Sequence, residues 1–124
     1  MIKGIGIDLT DKHRFEILIE KYGNKFASKL LSSKEFSEYD NSNNKASFLS
    51  KRFAAKEALS KAFGYGLYRH GIYPKQITIE HDSYGKPFFS FSKMILDNTV
   101  SKYKNIQLSL SDSDDQTIAF VTLE

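Results

Sequence analysis

The chain has 124 residues, 40% of them apolar and 27% charged, with a formal net charge of +3 and no cysteine. That length favours one domain with a sizeable core, the missing cysteines exclude disulfides and thiolate chemistry, and the mild positive balance falls short of a nucleic-acid stripe while still favouring an acidic partner. No apolar run approaches the roughly 18 residues of a membrane span, and the opening MIKGIGIDLT lacks a secretory pattern, so a cytoplasmic protein that binds neither membrane nor nucleic acid is expected.

Residues 2–10 alternate, with Ile5, Ile7 and Leu9 on one face and Gly4, Gly6, Asp8 and Thr10 on the other, which predicts a strand. Glycine inside a strand marks a place where another backbone or a ligand comes close, and Asp8 shares that face. Phe15, Leu18 and Ile19 recur at helical spacing across 11–22, Gly23 ends that helix, and a short second helix is predicted over 25–31. Ser32 and Glu35 have the spacing of a capping box and open a helix to about Tyr39, after which 40–45 reads as a surface loop. Residues 46–63, ASFLSKRFAAKEALSKAF, make the most helical segment, stopped by Gly64. Strands follow at 76–80 and 87–91 around a turn at 83–86, then a helix over 93–103 with Met94, Ile95 and Val100 inward. Alternation at Ile106, Leu108 and Leu110, and again across 118–123, predicts a hairpin around the acidic 111–116.

Nine of the sixteen residues from Phe48 to Phe63 are apolar and nearly encircle that helix, so it should be central. Ser50, Glu57 and Lys61 share one narrow polar strip; Arg52, Lys56 and Ser60 form a second, embedded between Leu49, Leu59 and Phe63. Charges on a buried helix need partners, because an unpaired one costs several kcal/mol. Read locally, Glu57 and Lys61 are an i to i+4 ion pair of about 0.3 to 0.5 kcal/mol, and Asp8 is an Asx turn or a loose cap where the strand hands over to the helix. A second reading joins them. Asp8 at a strand end and Glu57 on a buried helix share a hard divalent cation, for which Mg²⁺ is suited because it takes few protein carboxylates and completes its shell with water and substrate phosphate. Lys61 would then face the same phosphates as a point charge.

GIGIDL at 4–9, FLSKRFAAKEALSKAFGYG at 48–66, GKP at 85–87 and the closing strands around LSLSDS resemble the holo-acyl-carrier-protein synthases, the small bacterial type of 4′-phosphopantetheinyl transferase. The resemblance runs almost end to end. It implies an α+β fold in one domain over residues 1–124, a mainly antiparallel sheet packed on a long central helix, and a homotrimer with active sites between subunits. It implies transfer of 4′-phosphopantetheine from coenzyme A to a serine of apo-acyl carrier protein in fatty acid biosynthesis, with release of adenosine 3′,5′-bisphosphate. By the same resemblance Asp8 and Glu57 are the Mg²⁺ ligands and Lys61 lies near the transferring phosphate. Arg52 and Lys56 line the coenzyme A site, and Gly64 and Gly66 let its chain pass.

Carrier proteins are strongly acidic, and Arg14, Lys21, Lys25 and Lys29 are spaced to form one basic stripe over the first helices. The resemblance gives Arg14 a carrier contact; an ordinary solvated face is the alternative for the lysines. One departure stands out. Where the family reads SISHT or SITHT this chain has SLSDS, placing Asp112 at the histidine position. A carboxylate cannot donate to a phosphate and repels it at close range, so either Asp112 points away or coenzyme A binds more weakly here. His13, His70 and His81 lack metal-ligand spacing and are expected at the surface. Two rivals to the transferase remain: a small basic module binding RNA or another polyanion, which leaves Asp8 and Glu57 unexplained, and a trimer of the same fold with impaired catalysis.

Overall fold

The computed structural model describes residues 1–124. In chain order the elements are β1 (Gly4–Asp11), α1 (Lys12–Tyr22), α2 (Lys25–Leu30), α3 (Ser33–Asp40), α4 (Lys45–Phe63), β2 (Ile77–His81), β3 (Pro87–Phe91), α5 (Lys93–Asn98), β4 (Ile106–Asp112) and β5 (Gln116–Leu123). Single 3₁₀ turns precede β2 at Pro74–Gln76 and follow α5 at Val100–Lys102.

All strand pairing is antiparallel, in two sheets: β1-β5-β4 and β2-β3. The first and last strands of the chain pair, with Asp8 opposite Ala119. Across this sheet lies α4, whose 19 residues extend about 28 Å. Its seat is made by the glycines of β1. A Cβ at Gly6 would overlap the Ala58 carbonyl oxygen, and one at Gly4 the Ala62 carbonyl oxygen. The backbone that comes close to the glycine face is therefore the central helix itself.

This arrangement reverses the usual sense of a half-buried strand. Gly6 and Thr10 are buried against α4, whereas Ile5, Ile7 and Leu9 point outward, 61%, 53% and 60% exposed. On β5 the inward residues are Thr117, Ala119, Val121 and Leu123, while Ile118 and Phe120 join the outward apolar face.

α4 divides two cores. Ala54, Ala55, Ala58, Leu59 and Ala62 pack with Ile77, Ile79, Leu108, Val121 and Leu123 between helix and sheets. Ala46 and Leu49 pack instead with Phe15, Ala27, Leu30 and Tyr39 of the helical layer. The helix ends where expected: Gly64 takes φ +85°, and the amides of Gly64 and Tyr65 return to the carbonyls of Lys61 and Ser60. The capping box at Ser32 and Glu35 is formed in both directions.

The 93–103 region differs from expectation. α5 stops at Asn98, Thr99 leaves helical geometry with φ −129°, and the chain resumes as a 3₁₀ turn. Asn, Thr and Val in succession weaken a helix; Ile95 and Val100 face the core as expected, with Tyr103 packed against it, but Met94 is 64% exposed. No helix is long and apolar enough to cross a membrane.

Candidate active site

The strip of α4 bearing Ser50, Glu57 and Lys61 faces the β1–β5 pair. Ser50 hydrogen-bonds Thr117 Oγ1 of β5 at 3.0 Å, fixing one end of the strip. At the other end Lys61 Nζ donates to the Ile7 carbonyl at 3.0 Å and to Asp8 Oδ1 at 3.1 Å. Glu57 lies between these anchors, and its carboxylate and that of Asp8 are close enough to repel each other. Arg14, in the first turns of α1, draws both carboxyls down, and its guanidinium rests 4.9 Å from the ring centroid of Phe53, one turn before Glu57. Strand, first helix and central helix thus converge two carboxylates and two cations.

The balance among these charges is unfavourable to the acids. Burial raises the Asp8 pKa despite Lys61 and Arg14. For Glu57 burial is again the largest cause of a raised pKa, and the Asp8 carboxylate adds to it. Asp8 Oδ2 is buried and has no hydrogen-bond partner. An orphaned carboxylate oxygen beside a second, mutually repelling carboxylate is the donor set a hard divalent cation satisfies. Two carboxylates fit the small protein share of a Mg²⁺ shell, and no third His, Cys, Asp or Glu joins them.

The second strip of α4 meets a different environment. Lys56 is fully buried, and its ammonium donates to the Leu30 carbonyl at 2.8 Å, Glu35 Oε1 at 2.6 Å and the Pro74 carbonyl at 3.0 Å. Burial pulls its pKa down to about 8 against the opposing pull of Glu35. Glu35, equally buried, also accepts from Ser32 N and, through Oε2, from Ile79 N. Arg52 is 7% exposed, stacks 3.8 Å from the Phe48 ring centroid and lies 3.9 and 3.8 Å from Glu35 and Glu38. Lys56, expected to line the coenzyme A site, is placed in the interior, with all three of its protons donated inside the protein. Arg52 is largely enclosed as well, although its Nε has no hydrogen bond. Glu35 was visible in the sequence only as a capping-box residue. The signal that could have singled it out is the buried basic strip, which requires an acid from elsewhere in the chain.

Gly64 is exposed at the end of α4 with open space where a Cβ would stand; Gly66 has ordinary φ and lies against the Arg69 side chain. Arg14, Lys21, Lys25 and Lys29 are all exposed, and Lys25 and Lys29 flank a groove of about 300 Å³ lined also by Leu18, Tyr22 and Phe26. Asp112 ends β4, where Lys12 bonds it at 2.8 Å and Lys51 lies at 3.7 Å; the Lys12 bond is the main reason its pKa is lowered. His13, His70 and His81 are exposed.

A family model for the 4′-phosphopantetheinyl transferase superfamily matches residues 4–121. The holo-[acyl-carrier-protein] synthase of Nitrosospira multiformis is 46% identical over 127 residues, covering 100% of this chain and 99% of that one. Among solved structures, the holo-[acyl-carrier-protein] synthase of Neisseria meningitidis superposes with a TM-score of 0.91 at 37% identity, covering 100% and 99% of the two chains. That of Bacillus anthracis, in complex with CoA (3′,5′-ADP), superposes with a TM-score of 0.83 at 32% identity over 100% and 97%. With this likeness running the full length of the fold and through the site on α4, the chain belongs to the 4′-phosphopantetheinyl transferase superfamily, among its holo-[acyl-carrier-protein] synthases.

Proposed function

We infer that this chain transfers the 4′-phosphopantetheine group of coenzyme A to a serine of apo-acyl carrier protein and releases adenosine 3′,5′-bisphosphate. The observation that carries the site assignment is the pairing of Asp8 and Glu57, with the buried Asp8 Oδ2 left without a partner. Asp8 and Glu57 would hold Mg²⁺, which when bound offsets negative charge on the pyrophosphate of coenzyme A. Lys61, half-exposed and held beside Asp8, would face the same phosphates as a point charge. Phosphoryl transfer asks little covalent chemistry of the protein, so orientation and charge neutralisation by these side chains dominate. The serine hydroxyl gives up its proton as it attacks, and a water hydrogen-bonded to the Asp8 or Glu57 carboxylate is the acceptor.

The open space beside Gly64 gives the pantetheine arm a route past the end of α4. Arg14, Lys21 and Lys25 receive the acidic carrier, and the apolar Leu18, Tyr22 and Phe26 between the lysines give it a surface to bury. The outward face of the large sheet supports a homotrimer. Ile7 lies opposite Phe120 and Leu9 opposite Ile118, so these side chains form one contiguous apolar patch of a kind that monomers rarely leave uncovered. The reading includes a cytoplasmic location, where coenzyme A and carrier meet.

The test is direct. The protein is incubated with apo-acyl carrier protein, coenzyme A and Mg²⁺, and the carrier is weighed by mass spectrometry. A carrier heavier by one phosphopantetheine, dependent on Mg²⁺, is expected; an unmodified carrier overturns the reading, and Mg²⁺-independent RNA binding without transfer would favour a basic binding module.

A further inference from the structure

The buried ammonium of Lys56 has no part in the chemistry above, yet from the residue next to Glu57 it ties α4 to three other parts of the fold. Its three donors end on α2 at the Leu30 carbonyl, on the start of α3 at Glu35, and on the Pro74 carbonyl beyond Gly64. Glu35 extends the same node to Ser32 N and Ile79 N, and Thr78 Oγ1 donates to Ser32 Oγ at 2.7 Å. Lys56 itself precedes Glu57 on α4. No other side chain in the molecule bonds three separate elements through one atom.

The segment between Gly64 and Pro74 is the least regular part of the chain, with Tyr68 and His70 both in the left-handed region at φ 68° and 55°. It is fixed at its start by the end of α4 and at its return by the Pro74 carbonyl on Lys56. Between that return and α2 runs a groove of about 450 Å³ lined by Ser28, Lys29, Tyr68, Tyr73, Pro74 and Lys75. Lys56 bonds Pro74, which lines this groove, and the carbonyl of Leu30, the residue after the lining Lys29.

We propose that Lys56 and Glu35 form a positioning clasp that sets the carrier-facing end of α2 and the coenzyme-facing segment after Gly64 at a fixed distance from Glu57 and Lys61. The proposal rests on the transferase reading. Neither residue touches a substrate; both act by holding the groups that do. Hydrogen bonds from a charged donor in a buried site are strong and directional, and a hydrophobic contact of the same volume would leave the two carbonyls free to shift. Displacements of about 1 Å between reacting groups lower turnover as much as a hundredfold without weakening binding.

The test is the double substitution Lys56→Met with Glu35→Gln, which removes both charges together and leaves neither buried alone. Turnover with coenzyme A and apo-carrier, and amide hydrogen exchange along the chain, are measured on the folded protein. The expected result is a kcat lower by about tenfold to a hundredfold, both KM values within about threefold of wild type, and faster exchange confined to the 65–76 segment and the end of α2. An unchanged kcat in the folded variant overturns the proposal, as does a raised KM with kcat intact. Faster exchange spread through β1 and β5 marks a merely structural pair and overturns it too. If the double variant does not fold, Glu35→Gln alone, which keeps the ammonium on its two carbonyls, carries the same measurements with a smaller fall in kcat. Exchange reports on the clasp without substrates, so a wild-type protein that transfers nothing removes the functional reading separately.

Discussion

Lys61 bonds one oxygen of Asp8, at 3.1 Å, and leaves the other buried with no partner. The lysine thus compensates half of a carboxylate that burial already makes reluctant to ionise. Asp8 and Glu57 are thus two carboxyls held in a partly buried place where ionising both is unfavourable.

Asp8→Asn separates stability from function on this account. The neutral amide removes the repulsion with Glu57, so in chelator the variant should melt at or a few degrees above wild type, an increment of about 1 kcal/mol or less. Transfer should fall at least about a hundredfold, because charge stabilisation at the reacting phosphates is lost. Differential scanning fluorimetry and the carrier mass assay check the pair; full activity in the variant would remove Asp8 from the site.

A pH dependence follows from the same two carboxyls. Asp8 and Glu57 both have raised pKa values in the folded chain. The folded state therefore binds protons more readily than the unfolded state at mildly acidic pH. Ionising the pair opposes folding above the folded pKa values, and that penalty is relieved as pH falls through them. Mg²⁺ must displace those protons, so its binding weakens over the same interval. The rise in melting temperature on adding Mg²⁺ should shrink as pH falls, beginning above the ordinary carboxylate range of about 3.9 to 4.3. An increment that shrinks only within or below that ordinary range contradicts the assignment of these ligands.

Carrier binding should be electrostatic at long range. Arg14, Lys21, Lys25 and Lys29 are exposed on two short helices, so their attraction acts through solvent and is screened over about 8 Å at physiological ionic strength. Lys25→Glu should raise KM for the carrier severalfold, leave KM for coenzyme A unchanged, and flatten the salt dependence of kcat/KM. Steady-state assays at two salt concentrations with each substrate varied decide it.

The exposed sheet face makes a prediction about assembly. Ile7 and Phe120 stand opposite each other across β1 and β5, 53% and 43% exposed. If this face is the contact of the proposed homotrimer, Ile7→Asp places a charge within it and should leave the protein monomeric, with activity falling in step. Analytical ultracentrifugation reads the mass. Wild-type protein that sediments as a monomer rules out the covered face.

The Ser32 box and the Gly64 stop were legible because each depends on residues within a turn or two of one another, whereas the early end of α5 at Asn98 was not. Asp8 and Glu57 were legible as a pair only because the two acids sit in recognisable motifs; spacing alone favoured a local Glu57–Lys61 ion pair, whereas Lys61 bonds Asp8. What escaped notice is long-range. Lys56 and Glu35 are 21 residues apart, and nothing in the capping pattern at Glu35 shows that its carboxylate also neutralises a buried lysine. The outward direction of Ile5, Ile7 and Leu9 was hidden for a related reason: alternation defines two faces, and only the close seat of α4 on Gly4 and Gly6 decides which is covered.

Asp112 is where this chain departs from the pattern it otherwise follows. Its carboxylate is bonded by Lys12 at 2.8 Å and approached by Lys51 at 3.7 Å, so two cations that could meet a phosphate are turned toward a side chain instead. Both interactions are partly exposed and worth little to stability, so replacing the acid should barely change the melting temperature. Asp112→His should release the lysines, remove a repelling charge and restore a group that can donate. We expect KM for coenzyme A to fall severalfold, KM for the carrier to stay constant, and the difference to narrow as salt is raised. Kinetics at two ionic strengths measure this, and a KM for coenzyme A that is unchanged or higher would show that position 112 faces away from the bound nucleotide.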